Sequence, residues 1–235
     1  MIYNPYDYYF NKAKQEWYKA RSAFKLEEIQ EKYKILDKGT KIVLDIWCSP
    51  WSWMQYTSAI LGNLKVKDFK IIWFDIKESN VNLSNVYTYV QDVTNIEKID
   101  SILKENNIKP YCHSESYSSA GKRWDKEAIP HNMDSSLHSE WHGGVDFIQS
   151  DMAPNTVGHK SVDAIRSIWL LEDTLRIYKK YLKPGWKFAI KIFMWPGFEE
   201  FVSDLKEYFG HKNIKIFKPK ACRSISKETY IVKVS

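Results

Sequence analysis

KIVLDI, residues 41–46, is a short run of apolar and β-branched residues carrying an acid, Asp45, near its end. A run this short, apolar on both faces, reads as a strand covered from both sides. Working outward, the pattern recurs in KIIWFDI (70–76), NVYTYVQD (85–92) and GVDFIQSD (144–151), which carry Asp75, Asp92 and Asp151 near their carboxyl ends. KFAIKIF (187–193), NIKIF (213–217) and ETYIVKV (228–234) bring the strands to seven. Residues 95–106, 160–182 and 197–209 read as amphipathic helices, and 11–35 reads as one further helix with Leu26, Ile29 and Tyr33 on one face. Strand alternating with helix argues for an α/β, Rossmann-like, doubly wound sheet that is mostly parallel. The last two strands have no helix between them, so the final one is expected to enter antiparallel. Residues 1–38 then form a basic N-terminal helical extension and 39–235 the main domain, with 110–143, rich in Ser, His, Glu and Lys, as a surface insertion.

The chain has 235 residues and a net charge of +6, with 44% hydrophobic residues, enough for one substantial core. The positive excess is clustered. Lys12, Lys14, Lys19, Arg21 and Lys25 share their segment with one acid, Glu16, and Lys206, Lys212, Lys215, Lys218, Lys220, Arg223 and Lys227 with one acid, Glu207. If the fold joins the chain ends, the two clusters make a single phosphate-binding face. No apolar run reaches the roughly 18–20 residues that span a bilayer, and residues 1–10 do not read as a secretory signal. Cys48, Cys112 and Cys222 are far apart and odd in number, as expected of free thiols in a reducing cytoplasm. His113, His131, His138 and His142 match no standard metal spacing, so no metal is expected.

Two features carry chemistry. Ligands of open α/β sheets sit at the carboxyl ends of the strands, and here those ends hold Asp45, Asp75, Asp92 and Asp151. A carboxylate after the second strand suits a ribose diol, since it accepts both hydroxyl hydrogens, and one after the third can accept from an adenine amino group. The other feature is Lys191, set between two isoleucines in AIKIF. A lysine inside a strand is costly to bury unless paired or neutral, and a desolvated amine beside other cations suits a general base.

SDMAP (150–154), KARSAFKL (19–26), LKPG (182–185), PGFEE (196–200), KPKACRS (218–224) and SKETYIV (226–232) stand in an order that resembles the FtsJ family of RNA ribose 2′-O-methyltransferases. The resemblance covers nearly the whole chain except 110–143, and is nearest to the branch that methylates a uridine ribose in 23S ribosomal RNA. It implies S-adenosyl-L-methionine as cofactor, a monomer, the large ribosomal subunit or its RNA as partner, and no membrane. The family's Lys-Asp-Lys-Glu tetrad carries onto Lys25, Asp151, Lys191 and Glu228. The cofactor would be held by Asp45, Asp75, Asp92 and Asp151 with position 51 and Trp53, and RNA phosphates by Lys12, Lys14, Lys19 and Arg21. A sister branch that methylates transfer RNA riboses is the nearest alternative.

One departure from the family pattern recurs. Its cofactor loop resembles D-x-G-x-x-P-G-x-W, yet residues 45–53 read DIWCSPWSW, with Trp47 and Trp51 where glycines belong. Trp17, Trp73, Trp186 and Trp195 also stand where the family usually has glycine. An indole at 47 or 51 is expected to fill the methionine pocket, and genuine tryptophans there imply an RNA-binding relative without methyl transfer. The chain has 10 Trp against 9 Gly, and moving six across brings glycine near its usual share of about 7%. Drift would scatter Ala, Ser, Asn and Asp; one residue type replaced by one other points to UGA codons read as glycine in the cell but written as tryptophan.

Overall fold

A computed structural model describes residues 7–46, 50–111, 143–152, 160–194, 197–223 and 226–234. Seven strands form one sheet: β1 (Ile42–Ile46), β2 (Lys70–Asp75), β3 (Val86–Val90), β4 (Val145–Ser150), β5 (Leu182–Phe193), β6 (Ile214–Phe217) and β7 (Glu228–Lys233). Their order is β3-β2-β1-β4-β5-β7-β6. The first five run parallel, while β7 lies antiparallel to both β5 and β6. The doubly wound reading and the antiparallel last strand therefore hold.

The helices are α1 (Tyr8–Gln15), α2 (Ala23–Tyr33), α3 (Ser52–Asn63), α4 (Ile96–Glu105), α5 (Lys160–Tyr181) and α6 (Phe198–Phe209). Successive side chains of a strand point to opposite faces, and the core divides accordingly. Leu44, Ile72, Phe74, Ile148, Ile190 and Ile192 pack with Ile99 and Leu103 of α4, Leu171 and Leu175 of α5 and Phe201 of α6. On the other face Val43, Ile71, Phe147, Ala189 and Tyr230 pack with Leu26 and Ile29 of α2 and Trp53 and Met54 of α3.

Two local expectations need correction. The helix expected over 11–35 is two, broken at 16–22, because α1 ends with Trp17 in the left-handed region at φ +62°. Its apolar periodicity resumes in α2 on a new axis. Also, β5 begins at Leu182, five residues before the expected start, and Pro184 and Gly185 lie within it. The pairing jumps from Val145–Leu182 to Phe147–Lys187, so the extra residues form a bulge that the sheet accommodates. The expected insertion at 110–143, with its four histidines, falls almost wholly outside the described residues, as do Trp47 and Trp195.

The fold joins the chain ends. The Glu28 carboxylate of α2 accepts the backbone N–H groups of Lys220 (2.6 Å) and Ala221 (2.7 Å). Arg21 binds both the Asp7 carboxylate and the Ala221 carbonyl. The two basic clusters thus meet on one side of the molecule. Because α2 shares a core with the sheet, Leu26→Ala should cost about 2–5 kcal/mol of unfolding free energy, measured by urea denaturation. A loss below about 1 kcal/mol would mean that α2 is only loosely appended.

Candidate active site

Lys191 is positioned by strand alternation. Ile190 and Ile192 belong to the core under α4–α6, so Lys191 turns to the α2 face, the side of Ala189. There its Nζ lies 3.1 Å from Asp151 Oδ1 and donates to the Asp151 carbonyl at 2.5 Å. Asp151 stands just beyond β4, whose Ser150 pairs with Ile190. Lys25, in the first turn of α2, reaches Glu228 Oε1 at 2.6 Å. Glu228 opens β7 opposite Phe193, and Tyr230, two residues on and on the same face, pairs with Lys191. The Tyr230 hydroxyl donates to Asp151 Oδ1 at 3.0 Å. Lys25, Asp151, Lys191 and Glu228 therefore gather in one cluster, with side-chain exposures of only 9–13%.

The electrostatics follow from this packing. Burial pushes the Asp151 carboxyl upward, but the Lys191 and Lys25 charges and hydrogen bonds from Lys191 and Tyr230 outweigh it, so its pKa falls below the ordinary value. Burial disfavours the Lys25 ammonium, yet the Asp151 and Glu228 charges and the bond to Glu228 raise its pKa on balance. Burial, with the charge of Glu228, pushes the Cys222 thiol up. Cys222 is thus an inert buried thiol beside Glu228.

The strand-end acids differ among themselves. Asp45 is fully buried in β1; its Oδ2 accepts from Gln149 Nε2 at 2.7 Å, and Gln149 Oε1 accepts from Thr57 Oγ1 at 2.7 Å. Its Oδ1 has no hydrogen-bond partner among the described residues. Burial pushes the Asp45 carboxyl up to about 8; Gln149 opposes the shift and the Asp151 and Asp75 charges add to it. Asp75 is buried at the end of β2 and accepts from the Lys77 N–H at 2.9 Å. Asp92 is exposed, and its Oδ1 caps the backbone N–H and hydroxyl of Thr94. Trp53 is fully buried, 5.6 Å from the Tyr230 ring, and its Nε1 donates to the Ser22 carbonyl at 2.8 Å. The Trp51 ring packs partly buried against the α2–α3 core with the Lys19 ammonium 5.1 Å from its centre.

Of the basic residues, Lys12 pairs with Glu27 (3.3 Å) and Glu16 (3.6 Å), and Lys14 lies over the Phe10 ring. Arg21 is committed to Asp7 and Ala221. Sequence reasoning missed Gln149, Thr57 and Tyr230. Tyr230 was findable, since residues two apart on a strand share a face. The Gln149–Thr57 link depends on how α3 packs, which no local pattern shows. Among the described residues, no group of three His, Cys, Asp or Glu could hold a metal, and no helix is long and apolar enough to cross a membrane.

The model of the FtsJ-like methyltransferase family matches residues 18–235. The chain belongs to that family. A protein named ribosomal RNA large subunit methyltransferase E, from Desulfatibacillum aliphaticivorans, is 35% identical over 226 residues, covering 96% of this chain and 88% of that one. One of the same name from Bdellovibrio bacteriovorus is 32% identical over 235 residues, covering 100% and 99%. The crystal structure of a Plasmodium falciparum protein described as a ribosomal RNA methyltransferase superposes with a TM-score of 0.64 at 25% identity, covering 93% of this chain and 98% of that one. The methyl donor of this FtsJ-like methyltransferase is S-adenosylmethionine, and the strand ends suit it: Asp45 Oδ1 is a buried oxygen with no hydrogen-bond partner among the described residues, and Asp75 lies on the neighbouring strand two residues beyond Trp73, the register partner of Asp45.

Two measurements check these assignments. An unfolded carboxyl ionises near pH 4, whereas Asp45 holds its proton in the fold to about pH 8. The native state therefore binds more protons across that window, and stability should fall as pH rises through it, by at most about 1.4 kcal/mol per pH unit. Asp45→Asn, neutral throughout, should flatten that slope in denaturation curves; an unchanged slope would show that Asp45 is ionised. For Asp151 the sign is opposite, because its depressed pKa contributes stability that is lost as pH falls. Tyr230→Phe removes one donor and so brings the Asp151 pKa nearer its unfolded value; the acid-side loss should therefore be smaller and end at higher pH, and superimposable acid limbs would exclude a role for the hydroxyl.

Proposed function

We propose that this chain transfers the methyl group of S-adenosylmethionine to the 2′-hydroxyl of a uridine ribose in large-subunit (23S) ribosomal RNA. The observation that carries this reading is the convergence of Lys25, Asp151, Lys191 and Glu228 in one buried cluster, next to the face where the basic chain ends meet. The names of the relatives supply the substrate class. We infer a cytoplasmic site of action, with the ribosomal RNA.

A 2′-hydroxyl is a poor nucleophile, so its proton must leave as the new C–O bond forms. Lys191 takes that proton. Asp151 holds the amine through its carboxylate and carbonyl, and Tyr230 holds the carboxylate. Lys25, fixed by Glu228, sets a positive charge near Asp151. When bound, the donor supplies an electrophilic methyl on a sulfonium. Asp75 would hold its ribose diol, Asp92 its adenine amino group and Asp45 its methionine end, and position 51 and Trp53 would border the donor. Much of the rate comes from alignment of the reacting atoms. Residues 1–38 serve as the RNA-contacting extension of the domain 39–235: Lys12, Lys14 and Lys19 meet phosphates, while Arg21 ties that face to residue 221.

With radiolabelled donor, label should enter 23S RNA of large subunits that lack the modification, and not bulk transfer RNA. Lys191→Met should lower the rate about 10²–10⁴-fold while leaving donor affinity within a few-fold by calorimetry. Labelling of transfer RNA alone would move the chain to the sister branch. Full activity in Lys191→Met would remove the proposed base.

A further inference from the structure

Trp17 and Trp51 both sit at φ +62°, in the left-handed region. A Cβ crowds the backbone there, and glycine is the residue at home. The other non-glycine residues in that region among those described are Lys34, Lys65, Asp68 and Asn107, all polar. Trp17 follows the C-cap of α1, donating its N–H to the Lys14 carbonyl at 3.3 Å while Tyr18 donates to Ala13 at 2.9 Å. This double bond pattern closes a helix through a left-handed residue that is usually glycine. The Trp17 side chain is 87% exposed, so burial does not compensate for the conformation.

Trp51 has a counterpart within the same molecule. It follows Pro50 and caps α3 at φ 62°, ψ 12°; Gly197 follows Pro196 and caps α6 at φ 96°, ψ −12°. Both helices open on a left-handed N-cap, and at α6 that residue is glycine. Trp53, two residues on, behaves oppositely: it is fully buried and its indole N–H is bonded to Ser22. The indole N–H of buried Trp73, by contrast, has no hydrogen-bond partner among the described residues.

We infer that the cell makes this protein with glycine at positions 17 and 51, from UGA codons that its translation machinery reads as glycine. Glycine at 51 also removes the ring over which Lys19 rests. Trp53, whose contacts require an indole, is genuine and encoded by UGG.

Peptide mass mapping of the protein from its native host, with the coding DNA, tests this. Glycine at 17 and 51 with tryptophan at 53 is expected; tryptophan at 17 and 51 overturns the inference. A second arm uses recombinant chain as written here. Trp17→Gly should raise Tm by about 2–4 °C by relieving the left-handed residue. An unchanged or lower Tm would show that the backbone makes no such demand. Neither readout depends on the methyl-transfer assignment, which is tested separately by the labelling assay.

Discussion

Four charged side chains leave water together in this molecule, and the architecture at the mixed end of the sheet serves to pair them. An isolated buried charge costs several kcal/mol. Lys25 with Glu228 and Lys191 with Asp151 avoid that penalty only because their partners arrive from different elements at 2.6 and 3.1 Å. The antiparallel β7 makes this possible. Inserted between β5 and β6, it sets Tyr230 opposite Lys191 and Glu228 opposite Phe193. One residue of register slip would turn Glu228 and Tyr230 to the other face, leaving Lys25 without its carboxylate and Asp151 without the Tyr230 hydroxyl.

Much of the sheet was legible because its strands are short, apolar and closed by acids. That signal is strong when both faces are covered, as KIVLDI and KIIWFDI show. Lys191 was legible for the complementary reason, since a lone charge in an apolar strand demands an explanation. The break between α1 and α2 was not, because helical periodicity says nothing of a single left-handed residue. Nor was the early start of β5, where a proline and a glycine usually punctuate but here form a bulge.

Within the site, the acids after the strands looked equivalent in the sequence and prove unlike in the fold. Asp45 is buried and holds its proton to about pH 8, Asp75 is buried beside a turn, and Asp92 is an exposed loop cap. Burial separates them, and burial depends on which helix lies overhead. The basic N-terminal residues show the same limit. Composition gathered Lys12, Lys14, Lys19 and Arg21 into one class, but only the fold shows Arg21 fastened to Asp7 and Ala221.

The stitching of residue 28 to residues 220 and 221 bears on how the chain comes into being. Lys25 leaves the exit tunnel some two hundred residues ahead of its counter-ion, Glu228. Until β7 slots between its neighbours, a nascent chain carries both lysines without the completed ion-pair network. Contacts spanning some two hundred positions also close slowly. A chain that stops short of β7 lacks the completed centre.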